Sequence, residues 1–207
     1  MSLKAIKEAV IEGDEDAVVE LVEEELKKGT EPKEILDGGL VAGMDVVGEE
    51  FKNNAMFVPE VLMSANAMAA GNDLLKPLMV GEKKESRGKV VIGTVQGDLH
   101  DIGKKIVGMM LEGAGFEVID LGIDVTVERF IGALEETQAK LIGMSAMLTT
   151  TMTVMGEVID VINHDERFKD VKVMIGGAPV NDIYAKKIGA NYSHDAASAV
   201  ELAKSLM

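Results

Sequence analysis

The chain has 207 residues and a formal net charge of −15, with 47% apolar residues and no cysteine. The length allows one large domain or two small ones, and the apolar content supports a real core. Without cysteine there are no disulfides, thiolate zinc sites, iron–sulfur clusters or cysteine nucleophiles; the charge, −9 over residues 1–88 and −6 over residues 89–207, offers no basic stripe to nucleic acid and is repelled by an anionic membrane surface.

The opening stretch, MSLKAIKEAVIEGDED, lacks the apolar core of a signal peptide, and no apolar run is long enough to span a bilayer. The chain therefore reads as cytoplasmic. From Ser2 to about Val80 the apolar period is helical. Leu3, Ile6, Ala9 and Val10 form the first stripe. Asp14 caps a second helix carrying Val18, Leu21, Val22 and Leu26, which stops at Gly29. Thr30 and Pro32 open a third, through Ile35, Leu40, Met44 and Val47, and Pro59 opens a fourth. Short connections between them predict an antiparallel four-helix bundle over residues 1–80. Between the third and fourth helices lies a segment holding Phe51, Met56, Phe57 and Val58. It reads either as a hydrophobic staple or as an apolar lid aimed at a second domain. Residues 81–88, GEKKESRG, have the makeup of a linker.

From residue 89 to 207 strand and helix patterns alternate. The strand candidates are Lys89–Val95, Glu117–Leu121, Leu141–Ser145, Val171–Ile175 and Ala190–Tyr192, and the last helix starts at Ala196. Such alternation predicts a parallel sheet covered on both faces, in the flavodoxin-like order 2-1-3-4-5. The fold class is thus α/β, a helical-bundle cap followed by a Rossmann-type five-stranded parallel sheet. In open sheets of this kind ligands bind beyond the carboxyl ends of the strands, where the first and third strands are neighbours.

The loop after the first strand is Gly97-Asp98-Leu99-His100-Asp101-Ile102-Gly103. The loop after the third is Ser145-Ala146-Met147-Leu148-Thr149-Thr150-Thr151, and the loop after the fourth is Gly176-Gly177-Ala178-Pro179. Taken singly, each is turn chemistry, and Asp98 or Asp101 is a helix cap. Together they predict a crevice with an imidazole, a carboxylate, several hydroxyls and a glycine pair. No GxGxxG or GxxxxGK[ST] follows a strand, so nucleotide binding of those kinds is not supported. Only His100, His164 and His194 are present, too few for a multi-histidine zinc site. One histidine beside a carboxylate suits a metal that brings its own equatorial ligands, as in a macrocycle.

At these residues the chain resembles the corrinoid-binding proteins. Asp98-Leu99-His100-Asp101-Ile102-Gly103 matches their DxHxxG motif, Ser145-Ala146-Met147 their Ser-x-Leu segment with Met in the Leu place, and Gly176-Gly177 their glycine pair. The helical half resembles their cap module. The nearest group is similar to the small corrinoid proteins of anaerobic methyltransferase systems, which serve methanol, methylamines, methoxylated aromatics or quaternary amines. The resemblance implies cobalamin or a related corrinoid, with His100 as the axial cobalt ligand, Asp98 bonded to its imidazole and Thr151 completing the relay. It also implies that Thr149 lies near the corrin edge, and that the nucleotide tail inserts between loops bearing Ser145, Gly176 and Gly177, with Ala196 or Ala197 near its end. From the cap it assigns Phe51 and Val58 to the methyl face and Asp37 to an acidic position near the corrin. The implied role is that of a methyl carrier and not a complete enzyme: Co(I) takes a methyl group from a substrate-specific methyltransferase, and methyl-Co(III) gives it to a second methyltransferase with a folate-type or thiol acceptor. A reductive-activation protein is a further implied partner. A cobalamin-dependent sensor, a mutase subunit and a cofactor-free receiver or binding module are the alternatives; no basic DNA-binding segment or large barrel accompanies this cap.

Overall fold

In a computed structural model, which describes residues 2–79 and 86–207, the chain forms a helical unit followed by an α/β unit. Residues 81–85 of the expected linker lie outside the described residues. Among the described residues no helix is long and apolar enough to cross a membrane.

The helical unit comprises α1 (Ser2–Glu12), α2 (Glu15–Lys28), α3 (Pro32–Ile35), α4 (Ala42–Lys52) and α5 (Val58–Leu75). Helix α2 begins where Asp14 accepts the N–H of Ala17 at 3.0 Å and ends on Gly29, whose φ of +86° suits a left-handed cap. The expected Thr30 cap is not formed. The residue before α3 is Glu31, which makes no side-chain cap, and the Thr30 hydroxyl turns back to donate to Glu25 Oε2 at 2.9 Å. Glu25 is buried, so its carboxylate needs donors; Lys28 supplies another to Oε1 at 2.7 Å.

The expected third helix is one rod in three parts: α3, a π-helical stretch Leu36–Val41, and α4. Gly39 and Gly43 allow this rod to approach α1. A Cβ at 39 would lie 2.8 Å from Ile6 Cγ2, and one at 43 would lie 2.8 Å from Cβ of Val10. Helix α5 begins one residue before Pro59, with the Phe57 N–H donating to Glu60 Oε2 at 2.7 Å. Met56 before that cap and Val61 in its first turn are both buried, the positions of a hydrophobic staple. Phe57 and Val58 are exposed, and Phe51 is half-buried in the last turn of α4.

The α/β unit carries strands β1 (Lys89–Thr94), β2 (Glu117–Asp120), β3 (Leu141–Ser145), β4 (Lys172–Gly176) and β5 (Asn191–Tyr192). They form one parallel sheet in the order β2-β1-β3-β4-β5, as the alternation predicts. The helices between them are α6 (Ile102–Gly113), α7 (Val127–Thr137), α8 (Met152–His164) and α9 (Asp182–Ile188), and α10 (Ala196–Leu206) closes the chain. One core gathers Val91, Ile142, Val173 and Ile175 from the sheet with Phe130, Leu134, Met155 and Ile159 from α7 and α8. Such β-branched runs bury both faces, as a parallel sheet requires. Beyond β1 the chain stays pinned to both neighbours: Val95 N–H donates to Ser145 O, and Thr94 N–H donates to Gly122 O, each at 3.0 Å. The loops after β1, β2 and β3 therefore emerge side by side.

Candidate functional site

Asp98 stands where the β1 loop meets the β3 loop, and it is fully buried. Its two oxygens divide their partners by loop. Oδ1 accepts the backbone N–H of His100 at 3.1 Å and lies 2.7 Å from His100 Nδ1. Oδ2 accepts the N–H of Met147 at 2.7 Å, the N–H of Leu148 at 3.2 Å and the Thr151 hydroxyl at 2.9 Å. Burial alone pushes the pKa of a carboxyl up, but the bonds from Met147, His100 and Thr151 outweigh it and hold Asp98 well below the usual carboxylate range. An ionised carboxylate only accepts, so the proton of the pair sits on His100 Nδ1. That leaves Nε2 directed away from Asp98, on a side chain 57% exposed.

The residues expected at the site take up these places. Gly97, with φ +81°, opens the β1 loop. Leu99 and Ile102 flank His100 and are 69% and 75% exposed. Asp101 accepts the Lys105 N–H with its main-chain carbonyl and pairs with the Lys105 ammonium, so it stands at the entry to α6, just before Ile102. Met147, Leu148 and Thr149 are exposed in the β3 loop, and Thr151 is buried. Ser145 ends β3. Gly176 ends β4, its C=O accepting the Ala146 N–H at 3.2 Å, and Gly177 follows with φ +123°. Ala196 and Ala197 lie buried in the first turn of α10, which Asp195 caps by accepting the Ser198 N–H at 2.7 Å. Asp37, Phe51 and Val58 belong to the helical unit; Asp37 lies in the π-helical stretch, 3.1 Å from Lys33 Nζ.

Two family matches decide the relationship. Residues 88–202 match the B12 binding domain family, and residues 2–76 match a second B12 binding domain family. The chain belongs to the B12-binding corrinoid proteins. It is 42% identical to a corrinoid protein of Desulfitobacterium hafniense strain Y51, over 99% of this chain and 97% of that one. It is 45% identical to dimethylamine corrinoid protein 1 of Methanosarcina acetivorans, again over 99% and 97%. Among solved structures it is similar to the methanol:cobalamin methyltransferase complex of Methanosarcina barkeri, with TM-score 0.89 and 33% identity over 99% of this chain and 78% of that one. It is also similar to a cobalamin-binding protein of Desulfitobacterium hafniense DCB-2, with TM-score 0.81 and 35% identity over 100% and 99%.

The residues of this corrinoid protein fit the group its family binds. A corrin is broad, flat and largely apolar, and it satisfies its metal's equatorial positions itself. The three adjacent loops expose Leu99, Ile102, Ile123, Met147 and Leu148, an apolar surface without a covering side-chain layer. Gly103 opens α6 onto free space, with no atom within 4 Å of where a Cβ would stand. Among the described residues no cluster of three or more His, Cys, Asp or Glu could hold a metal ion. His100 thus suits a metal that arrives already ligated.

The β2 loop carries no motif, yet it joins the β1 loop. It holds Ile123 and Asp124, and Asp124 Oδ1 accepts the Gly97 N–H at 2.7 Å. The signal was available: an order of 2-1-3 puts the loop after β2 beside the loop after β1. Thr94, buried at the end of β1, was missed for a different reason. Its hydroxyl donates to His100 O at 2.8 Å, and nothing in a Thr within a strand pattern announces that bond.

Asp98→Asn tests the two-sided carboxylate. An amide has one accepting and one donating end, so either His100 or the Met147–Thr151 loop would face a donor. The expected cost is about 2–3 kcal/mol, from bonds to a charged group lost and a donor left unpaired. Urea melts would read it, and cobalamin affinity should fall roughly 10–100-fold, as for lost partners of metal-bound histidines. A variant that melts and binds like the parent would reduce Asp98 to a turn residue.

Proposed function

We propose that this corrinoid protein is a methyl carrier, holding a cobalamin-type cofactor through His100 Nε2 between two methyltransferases. One observation carries the reading: a buried carboxylate holds the His100 ring by Nδ1 and so turns Nε2 outward among exposed apolar residues. The bound corrinoid supplies a cobalt centre able to take a methyl group and yield it again, each transfer being a displacement at carbon.

The chain's own residues do the rest. His100 offers one nitrogen, and Asp98 raises its donor strength by accepting from Nδ1. Thr151, bonded to the same carboxylate, holds Asp98 in register with the β3 loop. Leu99, Ile102, Met147 and Leu148 exclude water along the cofactor's edge. The resemblance assigns the nucleotide tail to the loops bearing Ser145, Gly176 and Gly177, with Ala196 and Ala197 at the start of α10. We assign no donor pocket to the chain, so each methyl donor and acceptor comes on a partner: a substrate-specific methyltransferase, then a second enzyme with a folate-type or thiol acceptor. A reductive-activation protein would restore cofactor that has been oxidised. The methyltransferase complex of Methanosarcina barkeri supports the first of these partners, a methyltransferase.

The test is anaerobic. Reduced, cobalamin-loaded protein is mixed with a panel of methanol and methylamine methyltransferases and their isotopically labelled donors. Label should reach the protein fraction with one of them and then pass to a folate or thiol acceptor. Retained cobalamin with no label from any donor would remove the carrier role, and protein that takes up no cobalamin would favour a cofactor-free binding module.

A further inference from the structure

The imidazole of His100 is 57% exposed in its side chain, so packing does little to hold it. A surface side chain of that kind ordinarily samples several rotamers. What holds it here is the backbone of its loop, and the loop is fastened from outside at both ends. At the first end, the Gly97 N–H donates to Asp124 Oδ1 at 2.7 Å, and the Asp98 C=O accepts the Asp124 N–H at 3.1 Å. At the other end, the His100 C=O accepts the Thr94 hydroxyl at 2.8 Å.

Asp124 is itself held firmly. Val125 N–H donates to Thr94 O, and Gly122 O accepts the Thr94 N–H, each at 3.0 Å, so the flanks of Asp124 are tied to β1. Between them Asp124 takes φ +53°, a left-handed conformation that a non-glycine residue rarely adopts. Its side chain is exposed and fills no core position. Glycine would suit that backbone better. What the aspartate adds is a carboxylate acceptor for the Gly97 N–H, and strain of this kind persists where the surrounding structure enforces it.

We propose that Asp124 and Thr94 are positioning residues that together set the direction of the His100 imidazole, Asp124 at the Gly97–Asp98 end and Thr94 at the His100 carbonyl. The proposal rests on His100 as the cofactor's ligand for its consequence, but not for its geometry. With both loop ends fixed, only the two side-chain torsions of His100 remain, and the bond from Nδ1 to Asp98 restrains those.

Three variants separate the contributions. Asp124→Gly keeps the left-handed backbone and removes the acceptor. Asp124→Asn keeps an acceptor oxygen and tolerates the same backbone. Thr94→Val keeps the buried shape and removes the hydroxyl donor. In cobalamin-free protein, Gly97 amide exchange and the ring nitrogen shifts of His100 are read by NMR. In cobalamin-loaded protein reduced to Co(II), histidine-nitrogen splitting is read by electron paramagnetic resonance. Asp124→Gly should speed Gly97 exchange roughly 10-fold, the loss of one bond to a charged acceptor. Asp124→Gly and Thr94→Val should both move the ring shifts toward a tautomer average and lower the nitrogen-coordinated share. Asp124→Asn should stay within about twofold of the parent, an effect below ~0.5 kcal/mol. Parent-like ring shifts and splitting in both Asp124→Gly and Thr94→Val would overturn the proposal, whatever their melting points. If the parent itself shows no splitting, or keeps it in His100→Ala, the ligand assignment fails instead, and the ring shifts of the cobalamin-free protein still decide whether Asp124 and Thr94 position the imidazole.

Discussion

Replacing His100 with alanine should abolish histidine-nitrogen splitting in the Co(II) spectrum of the cobalamin-loaded protein, and it should leave the fold in place. The side chain is largely exposed, so little packing is lost, and Asp98 keeps its bonds to Met147, Leu148 and Thr151 on Oδ2. The stability cost should be about 1.5–3 kcal/mol, because the buried Asp98 Oδ1 loses the His100 Nδ1 donor and keeps the backbone N–H of residue 100. The other two histidines are engaged elsewhere. His164 closes α8, its Nδ1 lying 2.7 Å from Asp160 O, and α8 returns toward the amino ends of the strands. His194 lies in the loop before α10, with Nε2 2.9 Å from Asp195 Oδ2. Alanine at either should leave the spectrum unchanged. Growth on histidine labelled with ¹⁵N makes the readout specific, because the splitting pattern changes with the isotope only if histidine nitrogen is bound. A label-sensitive splitting that survives in His100→Ala would transfer the ligand role to another residue.

Gly177→Ala should be the most destabilising single-methyl change in the α/β unit. A Cβ there would stand 1.9 Å from the carbonyl oxygen of Ala146 and 2.8 Å from its carbonyl carbon. Both are backbone atoms of the β3 loop, which cannot swing aside as a side chain can. The φ of +123° adds strain for any L residue. Relief means parting the two loops, and the Ala146 N–H to Gly176 O bond goes with them. Because Met147 follows directly and donates to Asp98, the displacement would reach that carboxylate. A cost above about 3 kcal/mol is expected, in the range of overpacked cores and strained backbone. Gly176→Ala is the internal control. Its Cβ would meet Ser193 O at 3.2 Å, a tight contact that a small shift relieves. Urea melts of the pair should therefore differ by at least about 2 kcal/mol. Equal midpoints and slopes for the two variants would show that the β3 and β4 loops yield easily.

Much of the fold follows from local pattern. The β-branched runs around Val91, Ile142 and Val173 are buried on both faces, and that burial fixes both the strands and their parallel order. The strand ends depend on tertiary bonds. Val171 was expected to start β4, but its N–H turns to Phe168 O at 2.8 Å and belongs to the preceding turn. Leu121 lies past the end of β2, though its N–H still reaches Ile92 O at 2.8 Å. The π-helical stretch was not legible, because it belongs with the close approach of Gly39 to Ile6, a fact about two helices and not about one. Thr30 makes the same point: a favoured capping residue went instead to a buried Glu25 five positions back. In the site, His100 and its flanking aspartates stand out by spacing, and the strand order brings Thr151 to Asp98. The contribution of Asp124 depends on a left-handed φ, which no pattern of residue types in Leu121–Val125 encodes.

The divided allegiance of Asp98 has a consequence for how such a protein can be altered. One of its oxygens serves the imidazole, and the other staples together chain segments about fifty residues apart. Any substitution there changes the surroundings of the His100 imidazole and the stability of the domain at once. A designer seeking to change the imidazole's surroundings alone would therefore look beyond position 98. The accessible route is through a side chain that touches only one oxygen of the carboxylate, such as Thr151, whose hydroxyl donates to Oδ2.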